Sequence, residues 1–525
     1  MGYIGNTYQL PFNRGGMSHN INMDLIDDKA MVHPSRNIDI SHGGRQKRDG
    51  TALVYDSATK IGSSDSQIMG LAEFRTYAGD QFILAINDSG DIYSSSTNTI
   101  ATGLTGEEWF DFEVMDDNVF ITNTQNVPQT WDGLIAATCD ITSPADDWTT
   151  AGDYPQQFVK HGRANSERLW GIGTPSYRYR VYASANGNGK SFASTDVVTV
   201  DIETGDGFGI LGGAEFGDRL FCFGKNQTYV IDDSDLDSDY WGYYQAPWRG
   251  GVATWRLIEK TPNDVIAMAE DGTIYSVRMA EQYGDYKQAS LVATSWMHEW
   301  IREYVRLAYI DHFHMKYDPV LRALKIFVVR NGRTQVNTAL VYFVDRDPSE
   351  GWMIYDNQEH DSGYSASVSA LIRRGAGDYK IYTGDYDGRL WNLEVNSKND
   401  NDNAYYAGFK TPHLTFGNSR QRKKFKRGWI VAQPKGNRDL NIDWWVDGQI
   451  QTRRTVSLQG SGALLGSFIL GTDKLGDAGI IKRSFQLGTI GERLQVEMFN
   501  DNADEDFYLS HSLIDFQPLA PEAED

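Results

Sequence analysis

Hydrophobic and polar residues alternate in short runs along most of this chain, and tight-turn residues break the runs at a recurring interval. The plainest unit is VIAMAEDGTIYSV, Val265 to Val277: an apolar run, a turn on Asp271-Gly272, and a second short run closing on Tyr275. FILAINDSGDIYSS repeats the unit with Gly90 and Tyr93, and KIYTGDYDGRLWNLE repeats it with Gly388 and Trp391. Each predicts a β-hairpin, because β-branched and aromatic residues at period two flank a glycine that can take φ > 0. Looser versions lie between: VFITNTQNVPQTWDG with Trp131, RLWGIG with Trp170 followed by RYRVYAS, and RLFCFGKNQTYVID with Tyr229. The aromatics Tyr93, Trp131, Tyr182, Tyr229 and Tyr275 fall roughly 40 to 50 residues apart, the period of a four-stranded propeller blade. The pattern therefore predicts an all-β chain organised on a β-propeller.

Six or seven blade-like units fit between residues 51 and 396. The weakest stretch is 281–360, where SWMHEWIREYVRLAY sets Trp296, Trp300, Tyr304 and Ala308 at intervals of four, with Met297, Ile301 and Val305 beside them. That spacing predicts an amphipathic helix interrupting a blade and packing on the propeller. LKIFVVRNGRTQVNTALVYFVDRDPSEGWMIYD then resumes as two hairpins, turning at Asn331-Gly332 and around Asp347 to Gly351. Residues 1–50 are polar, without a strong period, and predict an extended arm that is stable only against another element. NSKNDNDNAYY, from Asn396, is a turn-forming break. Beyond it PHLTFG, KRGWIVAQP, LNIDWWVDG, RSFQLGTIGERLQVEMFN and FYLSHSLIDFQPL are strands at sandwich spacing. Residues 397–525 are expected to form a separate β-sandwich, interleaved with the arm, ending in a short disordered acidic tail, PEAED.

Composition agrees with many short strands: aromatics make up 12% of the 525 residues, and Gly (52) far outnumbers Pro (14). A net charge of -22 argues against a protein that grips nucleic acid by neutralising phosphates, though like charge suits a surface that DNA slides past. The two cysteines, Cys139 and Cys222, cannot make a disulfide framework and are expected to be buried small hydrophobes. The N-terminal stretch lacks the pattern of a signal peptide, and no run approaches 18 apolar residues, so cytoplasmic synthesis without membrane insertion is expected.

Few patterns carry chemistry. Gly207, Gly209 and Gly212 satisfy G-x-G-x-x-G, but turn and strand residues follow where a dinucleotide site needs a helix, so they are expected to shape a loop between blades. Asp233, Asp235, Asp237 and Asp239 alternate as in a calcium loop, yet Ser238 replaces the turn glycine and Tyr244 stands where the bidentate Glu belongs. A solvated acidic loop competes with a structural Ca²⁺ site. His312 and His314 would share one face of a strand, a weak metal signal without a third ligand. RQRKKFKRG concentrates Arg420, Arg422, Lys423, Lys424, Lys426 and Arg427 around Phe425. Three readings stand: a contact with an acidic patch of a neighbouring subunit, an edge strand guarded by charge, or a contact with DNA phosphates. No G-x-S-x-G elbow, Walker loop or H-E-x-x-H occurs, nothing selects a carboxylate pair, and no cofactor is expected.

The N-terminal segment NRGGMSHNINMDLIDDKAMVHPSRNIDISHGGRQKRDGT has a glycine pair, an apolar-Asp stretch and an NID element at Asn37-Ile38-Asp39. A turn follows with Gly43, Gly44, Lys47, Arg48 and Gly50, and Asn126, Pro128, Trp131, Asp132 and Gly133 form a later N-x-P-x-x-W-D-G turn. In these features the chain resembles the tail nozzle and DNA-stabilisation (tail tubular) proteins of short-tailed bacteriophages, β-propellers with added β-domains. The resemblance implies a structural virion protein of the tail and not an enzyme. It would form a homo-oligomeric axial ring, a hexamer, below the portal and adaptor, meet tail-tip or fibre proteins, close the channel and pass DNA during ejection. Two alternatives are a receptor-binding tail-tip adhesin, whose loops such as 232–245 stack on sugars, and a propeller glycosidase.

Overall fold

The three Asp-Gly and Ser-Gly hairpins occupy one structural position, the turn between the second and third strands of a blade. Across that turn Met268 pairs with Ile274, Ile86 with Ile92 and Gly384 with Leu390. Gly272, Gly90 and Gly388 take φ of 84°, 77° and 80°, a region that costs residues with a Cβ. Each turn is closed by a backbone bond over it: Ala269 N–H to Thr273 O, Asn87 N–H to Asp91 O, and Asp385 N–H to Arg389 O.

In the computed structural model, all residues are described except 1–5, 21, 57–58, 64, 163–166, 236, 436–437, 461–478 and 520–525. The tail PEAED therefore lies outside the described residues. Among those described, seven antiparallel sheets follow one another along the chain as blades. Their first strands are Ile68–Arg75, Asp111–Met115, Gln157–His161, Ile210–Phe216, Ile258–Thr261, His314–Asp318 and Val368–Gly375. Each first strand neighbours the next, and the seventh returns to the first, so the protein is a closed seven-bladed β-propeller. The closing blade is shared between distant parts of the chain: Gly50–Leu53 is its outermost strand, pairing with Leu390–Val395.

The recurring aromatics explain the repeat physically. All lie in third strands, and successive side chains of a strand face opposite neighbours. Tyr93 packs on the seventh blade, while Trp131, Tyr182, Tyr229 and Tyr275 each pack on the blade before their own. Adjacent residues Ile92, Val230, Ile274 and Leu390 pack on the blade after. Each third strand thus supplies both of its blade's interfaces, and each buried side chain contributes about 2–3 kcal/mol of apolar burial.

Three local expectations are corrected. The helix runs only over Met297–Tyr304, because Val305 leaves it to bridge Arg330 as a strand partner; Ala308 falls in a 3-10 turn, Leu307–His312. Its apolar side, Met297, Trp300 and Ile301, is buried against the propeller. The fifth blade has three strands, since Val277–Tyr283 forms a helix where a fourth would begin. Ser276 caps its start by accepting Met279 N–H at 3.0 Å, and Gly284 ends it at φ 68°. Cys222 is buried, but Cys139 sits on the outer strand of the second blade and is exposed, because that strand has solvent on one side.

Residues 6–47 are woven into two six-stranded sheets with the C-terminal part of the chain. One sheet joins Asn6–Pro11, Ile38–Asp39 and Arg45–Lys47 to Lys423–Gln433, Ile481–Gly491 and Tyr508–Pro518. The other joins Val32–Arg36 to Ala407–Lys410, Asp439–Val446, Gln449–Ile450, Arg454–Ser457 and Leu494–Asn500. Their facing apolar rows, including Phe425, Ile430, Ile514, Ile442, Trp444 and Met498, form one core that continues into the sixth blade. The arm also seals the outer edge of that blade: Met17 N–H bonds Trp352 O at 2.7 Å and Asn37 N–H bonds Ile354 O at 2.8 Å.

A buried polar cluster locks the two bodies where the chain crosses between them. Arg48 donates to both oxygens of Asp400, at 3.0 and 2.7 Å, and to Asn37 Oδ1 at 2.9 Å, with its guanidinium 3.9 Å from the Tyr405 ring centre. Asp400 also accepts from Thr51 N, Thr51 Oγ1 and Asn357 Nδ2. Gly50 lies so close to Asn399 that a Cβ there would stand 1.7 Å from its carbonyl oxygen. Breaking a buried pair strands its partner without solvent. Arg48→Ala is therefore expected to lower the unfolding free energy by about 3–5 kcal/mol, and Gly50→Ala to destabilise by displacing the closing strand. Denaturant midpoints equal to wild type in both variants would remove this cluster as the lock.

Candidate functional site

The seven first strands surround an axial channel, and their alternate side chains point into it. Two adjoining cavities of about 490 and 540 Å³ share Asp111, Phe112, Gln157, Ile258 and Glu259 in their walls. Most charges there are paired: Lys316 with Glu259 at 3.2 Å, Lys160 with Glu167 at 2.8 Å, Arg75 with Glu73 at 2.6 Å, and Lys260 with Glu215. Asp111 and Glu113, two apart on the second blade's first strand, instead accept backbone N–H groups, from Phe158 at 2.8 Å and Val114 at 3.0 Å. Burial pushes the Asp111 carboxyl up to about 7 and raises Glu113 as well. The channel thus places Asp111, whose carboxyl burial holds toward its protonated form, in the same wall as Glu259, which is paired with Lys316.

Arg256 bridges the channel at the end where the first strands begin. It lies in a 3-10 turn, Trp255–Leu257, and is 7% exposed. Its guanidinium donates to Ser367 O at 2.5 Å and to Asp311 O and His312 O at 3.4 Å, and sits 3.7 Å from the Trp109 ring centre. One side chain from the fifth blade therefore ties the entries to the second, sixth and seventh. Burial, reinforced by Arg256, lowers the pKa values of His312 and His314. The expectation that these histidines share a strand face is corrected: His312 ends the 3-10 turn, and His314 begins the strand and stacks on Phe327 at 4.5 Å.

The acidic loop is built around turns. Asp233 Oδ2 lies 3.2 Å from His161 Nε2, Asp235 accepts Asp237 N–H, and Asp237 accepts Asp239 N–H. These carboxylates serve separate partners, and among the described residues no group of three His, Cys, Asp or Glu is placed to hold a metal. Gly207 and Gly209, at φ 73° and 80°, shape the turn into the fourth blade. Gly212 lies in the following strand, where a Cβ would stand 2.7 Å from the Cβ of Trp255.

The basic run is placed differently from the edge-strand expectation. Lys423–Gln433 is a central strand, paired on both sides with Ile481–Gly491 and Tyr508–Pro518. Lys423 faces inward and gives all three ammonium protons to carbonyls, of Asn418, Gln421 and Glu492. Arg420, Arg422 and Lys424 are exposed, and Lys426 and Arg427 half-buried, across a bulge that turns both outward. Sequence reasoning missed Asp111, Glu113, Glu259 and Arg256 because they converge only when the ring closes. The acid-x-acid spacing of Asp111 and Glu113 on an apolar strand was the one local signal.

No family model matches the chain, and no curated protein does. Similar solved structures include YCF48 from Cyanidioschyzon merolae, at 10% identity and TM-score 0.35, covering 65% of this chain and 98% of that one. An exo-β-1,3-galactanase from Phanerochaete chrysosporium is similar at 9% identity and TM-score 0.24, covering 86% of this chain and 100% of that one. A glycoside hydrolase family 43 arabinoxylan arabinofuranohydrolase from Bacillus subtilis is similar at 11% identity and TM-score 0.24, covering 97% and 99%. At these values the likenesses carry no argument about what this chain does.

Asp111 sets a pH dependence. Its raised value means that the folded state keeps a proton the unfolded chain has lost, so its contribution to stability falls as pH rises from about 4 to about 7. Asp111→Asn keeps the acceptor for Phe158 and removes this loss. Expected is a gain on the order of 1 kcal/mol at pH 8, after allowance for solvent, shrinking below pH 5. Equal denaturant midpoints for variant and wild type at pH 8 would contradict a buried, proton-holding Asp111.

Proposed function

We propose that this chain is the structural subunit of a tail nozzle in a short-tailed phage, assembling as a ring, a hexamer by family resemblance, on the tail axis below the portal and adaptor. The observation that carries the reading is the place of the family-like N-terminal motif. Asn37, Asp39, Lys47 and Arg48 are all buried where the arm meets the propeller and sandwich, and Gly44 and Gly50 are packed where a Cβ would clash. A motif spent on welding two bodies into one piece fits a subunit that transmits load and holds its neighbours at a set angle.

The closed channel supports a path for DNA between copies of the chain rather than through one. The propeller axis is lined by paired charges and bridged by Arg256, so it offers no route for a duplex, and the path for DNA runs between copies of the chain. A net charge of -22 suits a wall that repels the phosphate backbone. The tail-tip partners and the virion location belong to the same proposal.

Class averages of the purified protein and of virion tails test it directly. Expected is a ring on the tail axis adjoining the portal, with the chain present in purified virions. A chain absent from virions overturns the proposal. Specific binding to a glycan array, lost on Tyr240→Ala or Tyr244→Ala without loss of folding, would replace it with the receptor-binding reading, because these tyrosines are exposed on the fourth blade.

A further inference from the structure

Two surfaces of opposite charge lie on different bodies of the chain. The first is an outward sheet face of the sandwich centred on Trp429. Lys482 Nζ and the Arg427 guanidinium sit 4.5 and 5.4 Å from the Trp429 ring centre. Lys424 and Lys426 continue the face along the same strand, and among the described residues none of these four cations forms an ion pair. Asp515 is the carboxylate on this face, and it accepts Trp429 Nε1–H at 3.1 Å and Thr7 Oγ1–H at 2.7 Å. The face is thus cationic at its rim and aromatic at its centre, in a chain whose net charge is -22.

The second surface is the outer edge of the fourth blade. Asp232, Asp235, Asp237 and Asp239 are exposed and form no ion pair among the described residues. Tyr240 is 74% exposed and Tyr244 45% exposed beside them. The loop is held in shape from below: Asp233 pairs with the buried His161, Trp241 Nε1 donates to Asp235 O at 2.9 Å, and Trp241 stacks on Trp170. Such a loop loses little freedom on docking, which favours association.

We infer that these two surfaces form the contact between neighbouring copies of the chain, with the Asp237–Tyr240 turn of one copy seated on the Trp429 face of the next. The inference rests on the ring reading above and names its interface. Charge complementarity selects the occupant: four cations around an aromatic, none in an ion pair among the described residues, face four carboxylates likewise without ion pairs beside exposed tyrosines. The aromatic centre favours a protein partner over a phosphate backbone, which would be met by charge alone. The geometry adds a second argument. The sandwich packs on the sixth blade, whereas the acidic loop belongs to the fourth, and no hydrogen bond or ion pair joins the two surfaces within one chain among the described residues. A contact between unlike patches is head-to-tail and generates a ring where the rotation closes.

Charge reversal on the full chain tests the contact. Lys424→Glu with Lys426→Glu, and separately Asp239→Lys, should each reduce the assembled population about tenfold or more at moderate salt, through like charges facing across the interface. Mixing the two variants should recover assembly, since the reversed face of one then meets the reversed loop of the other. Zero-length carbodiimide coupling of a mixture of isotopically light and heavy protein should link Lys424 or Lys426 to Asp237 or Asp239 between copies. Unchanged unfolding midpoints establish that the variants fold. A ring that persists in both variants overturns this interface and leaves the ring reading standing. Loss of DNA retention in Lys424→Glu with assembly intact also overturns it, and assigns the face to phosphate. A wild-type chain that is monomeric both alone and in purified tails overturns the ring reading and the interface together.

Discussion

The buried pair of Arg48 and Asp400 is the constraint on which the rest of this structure depends. The chain leaves the sandwich for the propeller at Arg48 and leaves the propeller for the sandwich at Asp400, so one ion pair clamps both crossings. Without water, each charge is tolerable only because its partners are complete: Arg48 has Asp400, Asn37 and the faces of Tyr405 and Tyr364, and Asp400 has Thr51 and Asn357. Gly50–Leu53, which closes the seventh blade, begins two residues after the clamp. Ring closure and domain docking are therefore a single event, and losing the clamp would loosen both.

Rigidity of this kind has a consequence for function. Each blade interface is filled by alternate residues of a third strand, and the axis is bridged by Arg256, so the propeller has little room to open. Its outer surfaces are where partners can be met, and those surfaces are sorted by charge: an acidic, tyrosine-bearing loop on the fourth blade and a cationic, tryptophan-centred sheet on the sandwich. Inside the channel, by contrast, charge is largely neutralised by pairing, and burial raises the Asp111 and Glu113 carboxyls above their usual range.

The β-class of the chain and its propeller repeat were legible in the sequence because they depend on local physics. A glycine is needed wherever a hairpin turns through φ > 0, as at Gly90, Gly272 and Gly388, and an aromatic is needed wherever a third strand must fill the gap to the previous blade. The basic run was visible too, but its structural setting was not. Of its three readings, the charge-guarded edge strand does not hold, because pairing with two strands distant in the chain makes Lys423–Gln433 central and turns Lys423 inward. Likewise the periodicity through Ala308 extended the helix beyond Tyr304, because nothing local announces the bridge from Val305 to Arg330.

What the amino-acid sequence determined by itself is the repeating unit: turn glycines, alternating apolar strands and closing aromatics, each set by neighbours within about ten residues. What only the tertiary structure decided is the number of blades, the weaving of residues 6–47 into the C-terminal sheets, and the meeting of Asp111, Glu259, Arg256 and His314 around one axis. Those outcomes depend on contacts between residues tens to hundreds of positions apart, where many pairings satisfy the local pattern. Closure of the ring, with Arg48 and Asp400 buried at its seam, selects one of them.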